Sequence, residues 1–329
     1  MTREQERRLG SGRAHAKVIV FGEHAVVYGA PAIAAPVPEL AVHVSATRSP
    51  SESGCRVTFS EVEPGAGTSA LREPADAGLQ TLVSNTLRAF GIGDCGIDLV
   101  VDCPIPPARG LGSSAACGRA VAVALADLFD RELDAQTGFD LVQSAERVAH
   151  GTPSGVDTAA TASTVPILFR DGVAAPLSIG PETVFVVADS GTSSSTKDSV
   201  SRLRRRFERE PAEQRRFVTA ITDITRSALT DIECGDVRGL GTKMTENHWL
   251  LGDLGLSTAH LDHLVQVALQ AGACGAKVTG GGSGGCLLAV AEGPERAAEV
   301  AVRLGRGGAV ATWTMSHASR SMEYRGSRI

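Results

Sequence analysis

Aromatic side chains are scarce in this 329-residue sequence: Phe, Tyr and Trp together make up 4%. The core must therefore be built from Ala, Val and Leu. A run of 18 apolar residues is missing, so no membrane span is expected. Met1–Arg13 is charged and lacks an apolar stretch, so no signal peptide is expected there. No Cys-x-x-Cys pair occurs. The seven cysteines (Cys55, Cys95, Cys103, Cys117, Cys234, Cys274 and Cys286) are scattered and odd in number. Free thiols in a reducing cytosol fit that pattern better than a disulfide frame, so a cytoplasmic protein is expected. Excess positive charge is missing as well: 32 Lys and Arg against 37 Asp and Glu give a net charge of −5. That balance argues against nucleic acid or an anionic membrane as partner. An anionic ligand must then be met by local positive groups. Gly-x-x-x-x-Gly-Lys-Ser/Thr is also absent, which excludes a P-loop.

What is present is an ordinary globular composition, 43% hydrophobic and 21% charged, with length enough for two domains. The most informative stretch is Pro104-Ile-Pro-Pro-Ala-Arg-Gly-Leu-Gly-Ser-Ser-Ala-Ala116. It follows an alternating run, Gly96–Asp102, that reads as a strand. It precedes Ala115–Phe129, apolar on nearly every face, which reads as a buried helix. A helix start presents unpaired N–H groups and the positive end of a dipole, so it attracts an anion. Gly110 and Gly112 would let a phosphate approach the backbone. Ser113 and Ser114 could cap the helix or offer a hydroxyl to a metal on that phosphate. The plain alternative is a helix cap after a tight turn.

Taken in order, Lys17–Phe21 reads as a short buried strand leading into Gly22-Glu-His-Ala-Val-Val-Tyr-Gly29. Ala32–Ala35 and Ala41–Thr47 read as two further strands. Residues 60–77 read as a surface loop, and 78–90 as an amphipathic helix. A helix over Asp140–His150 ends at Gly151, and Gly151–Asp157 forms a tight polar loop. Pro166–Arg170 and Val173–Leu177 form a hairpin about Asp171-Gly172. A second unit begins near Thr183, dividing the chain into 1–182 and 183–329. It opens with the strand Thr183–Ala188, followed by helices near 197–209, 212–233 and 236–251. A helix from Thr258 to Gln270, capped by Ser257, comes next. Strand Ala276–Thr279, the turn Gly280–Gly285, strand Cys286–Val290, helix Pro294–Leu304 and strand Ala309–Thr314 complete a split βαβ plan. The tail from Ser316 is polar and expected to fray.

Several residues could carry chemistry, and each has a plainer reading. Glu146 and His150 share one helix face at i, i+4. Glu146 with a serine hydroxyl would suit magnesium, which takes hard oxygen ligands; otherwise Glu146 is a solvated helix position. Asp157 could take or orient a hydroxyl proton, or cap the next helix. Lys17 could steady a nucleophile beside a carboxylate, or snorkel to the surface. Gly280–Gly285 could admit a close backbone approach or be a plain hairpin turn. The arginines at 202–209 read most simply as a solvated face. His260-Leu-Asp-His263 lacks the companions a zinc site needs.

Three blocks together resemble the motifs of the GHMP family of small-molecule kinases: Lys17–Gly29, Pro104–Ala116 and Lys277–Cys286. Their order and separations match, and they span most of the chain. Where the family often has Ala-Pro-Gly-Lys, this chain has Ala14-His15-Ala16-Lys17. Gly-Glu-His-Ala-Val-Val-Tyr-Gly and His150–Asp157 are most similar to the mevalonate kinase branch. The resemblance implies Mg-ATP-dependent phosphorylation of the primary hydroxyl of mevalonate. It implies that Arg109, Gly110, Leu111, Gly112, Ser113 and Ser114 hold the triphosphate, and that Ser114 and Glu146 bind Mg²⁺. Asp157 would be the base with Lys17 beside it; both, with Glu23 and His24, would face the substrate. Gly280, Gly281 and Gly282 would close the cleft. The implied fold is α+β, an N-terminal α/β domain packed on a ferredoxin-like C-terminal domain, and the implied assembly is a homodimer. Phosphomevalonate kinase is the alternative within the family. Galactokinase would need an Asp-Tyr-Asn signature where Ala25-Val26-Val27 stands, and a decarboxylase fits His150–Asp157 less well. A ligand sensor without catalysis would have no need of Lys17, Ser114, Glu146 and Asp157 together.

Overall fold

The computed structural model describes residues 8–49, 54–60, 72–74, 76–193 and 196–316. The first sheet has seven strands, and its organising strand is β2, Ala32–Arg48. On one edge β2 pairs antiparallel with β1, Gly10–Phe21. On the other edge its residues 43–48 pair with β5, Ile97–Asp102, and its residues 32–34 with β6, Ile167–Arg170. β3, Cys55–Phe59, runs parallel to β5 and is flanked by β4, Arg72–Pro74. β7, Val173–Pro176, closes the hairpin with β6 about Asp171 and Gly172, both at positive φ. On this sheet pack α1 (Ala77–Ala89), α2 (Ser113–Phe129), α3 (Ala135–His150) and the short α4 (Val156–Ala162).

Two expected strands are therefore one. Pro36 and Pro38 suggest a break, because proline cannot donate to a ladder. Within β2, however, residues 35–42 lie between the β6 and β5 pairings, so on that edge the prolines remove no ladder bond. β1 also begins earlier than expected, at Gly10, with a register shift between His15 and Ala16. Its glycine-bearing start presses onto α2: a Cβ on Gly12 would lie 2.0 Å from the Ala120 carbonyl oxygen. β3 and β4 had no clear sequence signal. β4 falls within the expected 60–77 loop; residues 61–71 and 75 of that loop lie outside the described residues, as does the tail beyond 316.

The second sheet is antiparallel, in the order β11-β8-β10-β9: Ala311–Ser316, Thr183–Asp189, Cys286–Glu292 and Gly275–Thr279. Numbered within the unit, that order is 4-1-3-2, the split βαβ plan. Helices α5 (Thr196–Arg209), α6 (Pro211–Cys234), α7 (Val237–Asp253), α8 (Ala259–Gln270) and α9 (Gly293–Arg306) complete it. Strand alternation divides the apolar residues between two cores. Phe185, Val187, Leu288 and Val290 join a core that includes α6, α7 and the first sheet. Val184, Val186, Leu287 and Ala289 pack with Leu261, Leu264, Val300 and Leu304 of α8 and α9. One core thus runs through both sheets. The cap of α8 is Thr258 rather than the expected Ser257: its side chain accepts from Leu261 N, while Ser257 Oγ turns to Asp262. Among the described residues no helix is long and apolar enough to cross a membrane, and the cysteines are free.

Candidate active site

The site forms along the edge of β1 that β2 leaves open. Alternate residues of an edge strand present backbone groups to one side. The Lys17 N–H donates to Leu111 O at 3.0 Å, which docks the 104–112 loop. Two residues on, Thr279 Oγ1 accepts from Ile19 N at 2.9 Å and donates to Ile19 O at 3.0 Å. The phosphate-type loop and the third glycine block thus meet on neighbouring rungs of one strand.

Gly112 stands at the N-cap of α2 with φ 72°, and no side chain caps this helix. Ser113 and Ser114 are its first two residues and cap nothing, so the first N–H groups of α2 remain available to an anion. A Cβ on Gly112 would meet the Lys17 side chain at 2.9 Å. The lysine stem therefore lies across the loop, and its burial rules out snorkelling. Gly110 and Gly280 abut: a Cβ on Gly280 would lie 2.7 Å from the Gly110 Cα. The Gly280–Gly285 turn is thus a close approach of two backbones.

Lys17 Nζ lies 2.9 Å from Asp157 Oδ1. Asp157 is not the helix cap that sequence allowed. Gly155 takes the N-cap of α4 at φ 92°, which frees the carboxylate of Asp157, the second residue of the helix, to face Lys17. Gln143 of α3 anchors this loop, donating to Pro153 O at 3.0 Å and accepting from Thr158 Oγ1 at 2.8 Å. Ser114 Oγ donates to Glu146 Oε1 at 2.5 Å, and His150 Nε2 lies 3.7 Å from Glu146 Oε2. Burial raises the Glu146 pKa, and the Ser114 hydrogen bond works against that rise. Glu146 is buried, not a solvated helix position. The two oxygens form a hard donor pair of the kind magnesium takes. Among the described residues no group of three or more His, Cys, Asp or Glu suits a metal, His260 and His263 included.

Arg109 has a further task. Its Nε lies 2.8 Å from Asp189 Oδ1, and Nη2 donates to Gly191 O at 3.0 Å. It ties the phosphate-type loop to the end of β8. The arginines of α5 divide. Arg204 Nη2 donates to Thr152 Oγ1 and Arg202 Nη2 to Ser283 Oγ, each at 2.9 Å, so two reach the loops flanking the cleft. Arg206 pairs with Glu213.

Glu23 and His24 follow β1 and are both buried. His24 Nε2 lies 3.1 Å from Gly281 O, and burial lowers its pKa to about 4, so the ring is neutral. Glu23 Oε1 pairs with Lys277 Nζ. Sequence reasoning passed over Lys277, Thr279, Asp189 and Gln143. For Lys277 there was a signal: a lysine amid an apolar strand is rarely buried unless paired. For the others there was none, since each partner is remote in the chain.

A family model described as GHMP kinases N terminal domain matches residues 79–164, and one described as GHMP kinases C terminal matches 226–310. A mevalonate kinase of Pyrococcus horikoshii is 34% identical over 319 residues, covering 89% of this chain and 92% of that protein. The crystal structure of L. major mevalonate kinase in complex with R-mevalonate aligns with a TM-score of 0.79 at 27% identity, over 94% of this chain and 97% of that one. Streptococcus pneumoniae phosphomevalonate kinase, in complex with phosphomevalonate and AMPPNP, aligns with a TM-score of 0.77 at 18% identity, over 93% and 99%. That last likeness is one of fold alone.

Proposed function

The chain belongs to the GHMP kinase family, and from that premise we propose that it transfers the γ-phosphoryl group of ATP to the primary hydroxyl of mevalonate, giving 5-phosphomevalonate. The observation that carries the reading is the Lys17–Asp157 pair, 2.9 Å apart beside the open start of α2. It joins a proton acceptor and a cation to an anion-binding helix end, the parts a phosphoryl transfer to an alcohol needs. The choice of alcohol rests on the mevalonate kinases that match across most of the chain.

In this reading the α2 N-terminus and the backbone from Gly110 to Ser114 cradle the triphosphate. Arg109 holds that loop against the second sheet. Ser114 and Glu146 hold Mg²⁺, which when bound offsets phosphate charge. The substrate hydroxyl enters beside Asp157, which accepts its proton, while the Lys17 ammonium steadies the oxygen as it gains charge. A dissociative transition state asks little of the base beyond orientation, which the Gln143 anchor of the Asp157 loop supports. Glu23 and His24 face the substrate, and the Gly280–Gly282 turn covers it. The proposal extends to a division of the chain at 182/183, a cytoplasmic location and a homodimer, the last open to light scattering.

A substrate panel tests the reading: mevalonate, phosphomevalonate, homoserine and galactose with Mg-ATP, followed by phosphorus NMR of the product. Mevalonate should give a new phosphomonoester at the highest kcat/KM. A higher kcat/KM for phosphomevalonate would overturn it.

A further inference from the structure

The segment that joins β1 to the substrate side of the cleft is gripped at three points by one strand and its turn. Thr279 holds Ile19, Gly281 O holds His24, and Lys277 holds Glu23. The first two are neutral contacts. The third is an ion pair whose side chains are 0% and 3% exposed. Removing two charges from water is costly, and mutual attraction offsets that cost only with good geometry and further hydrogen bonds. A pair kept purely for stability would be a poor solution at this position. Nor is it fully satisfied: Lys277 Nζ donates to Val278 O at 2.8 Å, but Glu23 Oε2 is buried without a hydrogen-bond partner. An orphaned buried carboxylate oxygen requires a donor.

We infer that Lys277 is a positioning residue for the acceptor alcohol: by fixing Glu23 Oε1 it leaves Oε2 as the free acceptor that a bound polyol satisfies. The inference rests on the functional reading above in taking Glu23 as substrate-facing. Lys277 touches none of the reacting groups, and its direct side-chain contact with the site is with Glu23 Oε1. The pair also couples the two sheets, since Lys277 sits on β9 while Glu23 follows β1. Burial pushes the Glu23 carboxyl up and the Lys277 ammonium down, so each needs the other to stay charged. Without Lys277 the carboxylate loses both its orientation and its counter-charge.

The test is a double-mutant cycle on the full chain: Glu23→Gln, Lys277→Met and the neutral pair with both changes, each measured for KM of mevalonate, KM of ATP, kcat and thermal unfolding. Lys277→Met should raise the mevalonate KM by about tenfold or more, the equivalent of one mispositioned hydrogen bond. The ATP KM should move by less than about twofold, within the usual additivity error. In the Glu23→Gln background, Lys277→Met should change the mevalonate KM by less than about twofold, because its route of action is already gone. A Lys277→Met enzyme with an unchanged mevalonate KM would overturn the inference. So would an effect that persists in the Glu23→Gln background, or one that falls equally on ATP. If Lys277→Met alone does not fold, the neutral pair compared with Glu23→Gln carries the same test, since removing both charges restores compatibility with a dry site. The unmodified chain is measured first. Absence of transfer to mevalonate overturns the functional reading and this inference with it, whereas transfer with a KM indifferent to Lys277 overturns the inference alone.

Discussion

Two lysine–carboxylate pairs flank the end of β1, and they differ in one respect. In Lys17–Asp157 the lysine side chain is 3% exposed and the carboxylate 41%. In Lys277–Glu23 the figures are 0% and 3%. The chemistry of the partners is the same. A carboxylate with an open side can accept a proton from an arriving hydroxyl and release it to solvent. A sealed carboxylate can only be held in place and accept a hydrogen bond from whatever enters. Solvent access, rather than residue type, separates the group proposed to do chemistry from the group proposed to orient the substrate.

The largest expected effect breaks the open pair. Asp157→Asn should lower kcat by about 10²–10⁴, the range of general acid–base catalysis, with Mg-ATP binding nearly intact. A loss near the lower end fits a dissociative transition state. Because Gly155 holds the cap of α4, any loss of thermal stability should come from the buried Lys17 ammonium losing its counter-charge, not from the helix end. More than about a tenth of the wild-type kcat remaining would remove Asp157 from the base role, since the range starts at about 10².

The next prediction leaves both pairs intact and strikes the neighbouring oxygens. Ser114→Ala and Glu146→Gln should each reduce kcat by about 10²–10³, typical of one lost electrostatic stabiliser, and raise the Mg²⁺ concentration at half-maximal rate. An unchanged Mg²⁺ titration in both variants would show that these oxygens, 2.5 Å apart, are only a structural hydrogen bond.

A smaller effect tests how dry the sealed side is. The unfolded chain takes up a proton at His24 below about pH 6.5, and the folded chain refuses it until about 4. Stability should therefore fall as pH drops through that window, by roughly 3 kcal/mol in all. His24→Asn does not titrate, and Asn is among the residues enriched at positive φ. Chemical denaturation at stepped pH should show a shallower acid loss in the variant. Parallel curves would mean that water reaches the ring.

The smallest effect extends the comparison to the surface. Arg206 and Glu213 form a bidentate pair at 2.7 and 2.8 Å with side chains 42% and 24% exposed. Arg206→Ala should change stability by no more than about 1 kcal/mol, as exposed ion pairs do. A larger loss in urea titration would show that burial is not what ranks these pairs.

Much of the fold was legible because its signals are local. α2 announced itself through an apolar run after two glycines, and the β6–β7 hairpin through Asp171-Gly172. The misreadings have local causes too. The prolines of β2 mimic a strand break, and Ser257 stands one residue before the true cap. At the site, the loop from Gly110 to Ser114 and the pairing of Ser114 with Glu146 were expected on family resemblance. The role of Arg109 as a tie to Asp189 was not. Two of the α5 arginines read as a solvated face reach Thr152 and Ser283 instead.

The sequence by itself determined what short-range sterics and periodicity control: the helix start behind Gly112, the turn at Gly280, and the alternation that divides β8 and β10 between two cores. Tertiary structure alone decided the partners. Ile19 meets Thr279, Glu23 meets Lys277 and Arg109 meets Asp189. The physical reason is that pairing across such separations depends on which edges and faces the packed cores bring together, and on how much water they leave there. A lysine's letter is the same at 17 and at 277; its use is set by whether its carboxylate can still reach solvent.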